Sequence, residues 1–191
     1  MFGPFSYLHI TSAYYSQKNF AELSCANQNL FILLNFYYGM KDSLKKGYSF
    51  GLTSGIITTL GLIVGLNSST GSKLVVIGGI ITIAIADALS DALGMHVSQE
   101  SENKHSRKQV WESTIATFIA KFVFALSFII PILLLNLELS VIISIIWGLF
   151  ALGVLNFFIA KSEKSNPFNV IVEHLIIAAI VIILTDIAGR F

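Results

Sequence analysis

Five apolar runs, 49–66, 74–96, 114–136, 139–160 and 168–187, alternate with short polar stretches along the chain. Each reaches or approaches the roughly 20 helical residues needed to cross a hydrocarbon layer about 30 Å thick. The β-branched richness of stretches such as Val141-Ile142-Ile143 suits buried strands, but strands seldom continue for so long without turn signals, so length selects helix. The turn signals fall between the runs: Asn67-Ser68-Ser69-Thr70-Gly71-Ser72, the polar stretch 97–112, Asn136-Leu137-Glu138, and Ser162 to Pro167. Pro131 lies inside the third run and is expected to kink it. The pattern predicts an all-α, polytopic membrane protein of five transmembrane helices.

Basic residues orient it, because Lys and Arg near span ends are retained on the cytoplasmic side. Lys41, Lys45, Lys46, Lys104, Arg107, Lys108, Lys161 and Lys164 fall on one side of the alternating spans, against Lys73 and Arg190 on the other. An N-in, C-out topology follows. Trp111 and Trp147 suit interfacial or packing positions. Residues 1–39 form an atypical N-terminal segment whose apolar stretch, 30–38, is too short to span and lacks the features of a signal peptide. Two readings of it compete: a docked interfacial segment outside the core, or a start of translation at Met40. The five-helix domain is taken as 40–191.

Composition agrees with a bilayer as the main partner. Hydrophobic residues make up 54% of the 191 and charged ones 12%, about half the usual charged share of a soluble domain. A net charge of +1 gives no nucleic-acid footprint, and Cys25 alone supports neither an internal disulfide nor a thiolate cluster. Which membrane holds the chain is not encoded.

The chemistry lies in polar groups at membrane depth, where each ionisable side chain costs roughly 2.5–3.5 kcal/mol on insertion scales. Asp87 and Asp91 stand one helical turn apart on the second span, with Met95, Ser98 and Glu102 read as continuing their stripe. Lys121 lies eight residues inside the third span, about 12 Å deep by helical rise, at a depth similar to Asp87. Glu173 and His174 enter the fifth span from the same side, and Thr53, Ser54 and Thr58 line that half of the first. Asp87, Asp91, Met95 and Glu102 are the candidate metal ligands; Lys121, Glu173 and His174 are candidates for counter-charge or proton coupling. His96 and His105 read as interfacial or loop residues, and Asp186 as a solvated end group. The competing reading is an Asp87–Lys121 ion pair that only fixes helix packing. Small residues at Gly51, Gly55, Gly61 and Gly65 make two G-x-x-x-G spacings on span one and mark close helix approach.

The stretch from Gly51-Leu52-Thr53-Ser54 to Gly65-Leu66 resembles the first-span pattern DGLVTPFALVAGL of the vacuolar iron transporter family. Ala88-Leu89-Ser90-Asp91-Ala92-Leu93-Gly94 through Glu100-Ser101-Glu102 is similar to its second-span AISMGLGGYLAAKSE, and Pro131 and Gly189-Arg190 match more loosely. The resemblance implies five spans, a divalent iron or manganese cargo and a homodimer, here expected through the first span. The chain departs from the family pattern at several positions. Phe50 and Ile83 replace carboxylates, Asp91 stands at a methionine position, Asp87 replaces a small residue and Lys121 occupies an uncharged place. Glu100 and Glu102 keep their carboxylates, and the metal-binding helical insertion of eukaryotic members is missing. The leading expectation is a transporter of divalent metal cations with proton coupling, and the alternative is a non-transporting scaffold. No Ser/His dyad, H-E-x-x-H or phosphate loop points to an enzyme, and no cofactor beyond the transported ion is implied.

Overall fold

The computed structural model describes residues 39–191; the expectations for the N-terminal segment before them lie outside the described residues. Met40–Phe191 form one compact unit. Its helices are α1 Asp42–Thr70, α2 Lys73–Ser101, α3 Arg107–Ser127, α4 Ile129–Leu134, α5 Leu137–Ser162 and α6 Pro167–Gly189. With α3 and α4 taken together, five helical segments are long and apolar enough to cross a membrane. No strand occurs among the described residues.

Several helices outrun the apolar windows where hydroxyl and amide side chains satisfy their ends. Thr70 Oγ1 donates to Leu66 O at 2.7 Å, and α1 stops only at Gly71, whose φ of +57° lets its N–H reach Asn67 O. Ser106 and Gln109 form a reciprocal capping box that starts α3. Asn136 caps α5, and Asn166 followed by Pro167 starts α6. The 97–112 stretch therefore shrinks to a loop of residues 102–106. Pro131 acts three residues upstream of itself. It offers no N–H to Ser127 O, and the α-helical pattern gives way at Phe128, whose N–H turns back to Ala125 O.

Short connections make chain neighbours antiparallel, with α1 at the centre. It packs most extensively on α3, then on α6, α2 and α5. The glycines of α1 explain those contacts. A Cβ at Gly51 would lie 2.5 Å from Thr117 O, one at Gly55 would lie 3.1 Å from Lys121 Cγ, and one at Gly61 would lie 2.9 Å from Val181 Cγ1. Gly65 faces Thr185. Both G-x-x-x-G rows are thus taken up inside the chain, by α3 and α6. Leu60, wholly buried, fills the notch that Gly148 leaves on α5.

The alternation of α1, α2, α3–α4, α5 and α6 puts the loop at 102–106 and the C-terminus at opposite ends of the bundle. Which end faces the cytoplasm follows from the charge asymmetry. A reporter inserted near Lys104 is expected to read cytoplasmic and one fused after Phe191 non-cytoplasmic; the reverse pattern would overturn the charge argument.

Candidate functional site

Asp87 and Asp91 lie one turn apart on α2, so their carboxylates point the same way. Opposite them, α3 presents Lys121, whose aliphatic stem lies against Gly55 of α1. A larger residue at that position would compete for the space of the stem. Lys121 is 1% exposed, yet its ammonium is well supplied with acceptors: Asp91 Oδ2 at 2.5 Å, Ser54 Oγ at 2.8 Å, and Asp87 Oδ2 in direct ion-pair contact. Ser54 in turn donates to Asp91 Oδ2 at 2.6 Å. Three helices therefore meet through one lysine.

The charges do not balance. Two carboxylates face a single ammonium, leaving one formal negative charge at the cluster. Asp87 Oδ2 touches Nζ and has no second donor among the described residues. The Asp87 and Asp91 side chains keep 29% and 21% exposure, so the carboxylate side of the cluster is open where the lysine side is closed. Such a site favours a cation. Its neighbouring donors are oxygens: Thr58 Oγ1 lies one turn above Ser54 and donates to Ser54 O at 2.8 Å.

The remaining expected residues fall outside this cluster. Met95 lies one turn from Asp91, and its sulfur accepts from Gln99 Nε2 at 3.5 Å. The stripe of Asp87, Asp91 and Met95 continues into Gln99, which is 3% exposed, and not into Ser98 or Glu102. Glu102 lies eleven residues beyond Asp91, about 16 Å along the helix, where it pairs with His105 at 3.2 Å. It cannot join the same ion. Glu173 is exposed on α6, and His174 Nδ1 lies 2.9 Å from Val170 O of its own helix. α6 packs on α1 and α5, and no hydrogen bond or ion pair among the described residues links either side chain to Lys121. Thr53 is half-buried on α1 without a part in the cluster's hydrogen bonds.

Two polar features were not anticipated. Ser113 Oγ donates to Gln99 Oε1 at 2.6 Å in a fully buried contact that joins α2 to α3 below the lysine. Glu112, also on α3, accepts from Lys41 Nζ at 2.9 Å and Ser43 Oγ at 2.7 Å at the start of α1. The i+4 spacing from Met95 to Gln99 carried a signal for the first; nothing local marked the second.

The chain is a multi-pass integral membrane protein, a bundle of five apolar helices with a charged cluster at its interior. Residues 48–112, about a third of the chain, match the family model of the VIT family. The matched stretch contains α2 with Asp87 and Asp91 and most of α1, and ends nine residues before Lys121. No curated protein and no solved structure matches the chain. Members of the VIT family are transporters rather than enzymes, and the match points to membrane metal-ion transport.

Proposed function

We propose that the protein carries divalent metal cations, iron- or manganese-like, across its membrane, with Asp87 and Asp91 as the ligands and Lys121 as a tethered cation that holds their place. The observation behind this reading is the imbalance at the cluster, two carboxylates to one buried ammonium. A scaffold that needed only a helix tie would be served by one carboxylate. Carboxylate and hydroxyl oxygens suit hard or borderline divalent ions. An arriving dication repels the ammonium, which favours release of the lysine proton or withdrawal of its side chain. Release makes cation binding and proton movement reciprocal, and this is the coupling we assign to Lys121.

Proteoliposomes containing the full chain and a trapped metal-sensitive dye test the reading. Wild-type protein is expected to give Mn2+ or Fe2+ influx well above that of empty liposomes. Asp91→Asn, which removes one ligand charge while keeping the shape, is expected to reduce it at least tenfold. Absence of flux in the wild type, or full flux in the variant, would sink the assignment.

A further inference from the structure

His96 sits near the loop end of α2, five residues beyond Asp91 and about 140° further round the helix, so it faces away from the Lys121 cluster. Its ring is held from two sides. Trp111 packs edge-on at 4.8 Å between ring centroids, and Thr114 Oγ1 lies 3.0 Å from Nδ1. Thr114 Oγ1 also lies 2.7 Å from Val110 O, and with its one hydrogen directed there it accepts from His96 Nδ1. In that arrangement the imidazole hydrogen is on Nδ1 and Nε2 of the neutral ring keeps its lone pair. This is the outer-shell arrangement that orients a metal-binding histidine.

Nε2 faces the carboxylate of Glu100, one turn on, at 4.0 Å from Oε2. That is too long for a hydrogen bond, and it leaves room for an ion. Metal–nitrogen and metal–oxygen bonds of about 2.0–2.2 Å at a tetrahedral angle bring two ligand atoms to roughly 3.3 Å. Glu100 is 69% exposed and closes that gap by a small side-chain rotation. His105 offers a useful contrast. Its Nε2 lies 3.2 Å from Glu102 Oε2, and since an ionised carboxylate only accepts, that nitrogen is already spent as a donor.

We propose that His96 and Glu100 form a separate surface site for a borderline divalent cation of the zinc, nickel or cobalt class, with Thr114 and Trp111 positioning the imidazole. No third His, Cys, Asp or Glu gathers there among the described residues, so water completes the coordination and exchange is fast. The site is independent of the assignment made to Lys121.

Trp111 provides the readout, since the chain has only two tryptophans. In the full-length protein carrying Trp147→Phe, Ni2+ bound at His96 Nε2 quenches Trp111 fluorescence. Titration with Ni2+ is expected to saturate and to be reversed by Zn2+. His96→Ala should weaken the apparent affinity at least tenfold and Glu100→Gln several-fold, whereas Asp87→Asn with Asp91→Asn should leave it unchanged. Quenching that rises without saturation overturns the proposal, as does a saturation constant unmoved by Glu100→Gln, an exposed change that does not disturb packing. Loss of the signal in the Asp87/Asp91 variant would assign the ion to the other cluster and overturn it equally.

Discussion

Replacing Lys121 alone with leucine is expected to be among the most damaging single changes available to this protein. The side chain is 1% exposed and touches both Asp87 and Asp91, so its removal leaves two carboxylates together without a cation. Breaking a buried ion pair at one end costs about 3–5 kcal/mol. The carboxylates are then expected to take up protons or to admit water. Replacing Asp87 together with Lys121 still leaves Asp91 charged, so the informative partner variant is the triple one, with leucine at 87, 91 and 121. Removing all members of a buried charge cluster can be close to neutral or even stabilising. Thermal unfolding in detergent is expected to rank the triple variant well above Lys121→Leu. A triple variant no more stable than the single one would show that the cluster does more for the fold than neutralise itself. Flux separates the two functional readings: a scaffold keeps whatever activity it has, whereas a carrier loses cation transport in the triple variant despite its stability.

Gly51→Leu is expected to have an effect of similar size by a different route. Even the first carbon of a side chain there would lie 2.5 Å from Thr117 O and 3.0 Å from Thr117 Cα, both backbone atoms of α3 that cannot rotate aside. Overpacking a close contact typically costs about 1–3 kcal/mol, and a whole isobutyl group placed against backbone lies at or beyond the upper end. The displacement also has a direction. Moving α1 away from α3 at this level draws Ser54 away from Lys121 and Asp91, to which it is hydrogen-bonded. Lower thermal stability and reduced flux should therefore appear together. Gly78→Leu is the control, because nothing lies within 4 Å of a Cβ at that position on α2. Equal damage from both substitutions would refute the packing argument.

The number of helices and their approximate centres were legible because lipid imposes length and apolarity on each span, and those are properties of a window rather than of a neighbour. The charged trio was legible for the same reason, as Asp87, Asp91 and Lys121 are out of place in apolar runs. Their partnership with Ser54 was not. Hydroxyls at Thr53, Ser54 and Thr58 look alike in sequence, and only the rotation of α1 against α2 and α3 selects Ser54. The central position of α1 was likewise hidden. A helix that is apolar all round carries little information about which side meets protein and which meets lipid. Gly51 and Gly55 announced a close approach without saying whether the approaching helix belonged to the same chain. Gln99 was missed because the stripe was extended by mixed spacings to Ser98 and Glu102, whereas successive turns of the packed face fall at Asp87, Asp91, Met95 and Gln99.

The central helix is tethered at its two ends to different neighbours. At its start, Lys41 and Ser43 hold Glu112 of α3, and near its finish Ser68 holds Asp186 of α6 at 2.5 Å while Arg190 grips the same carboxylate. Gly189 abuts Gly65 so closely that a Cβ there would lie 2.3 Å from Gly65 O. A rod fastened in this way works as a torsion bar. If α3 and α6 turn relative to one another, α1 must wind along its length or let go at one end. The bar passes the Lys121 cluster at Ser54, between the two fastenings, so the twist delivered there is a fraction of the twist imposed at the ends.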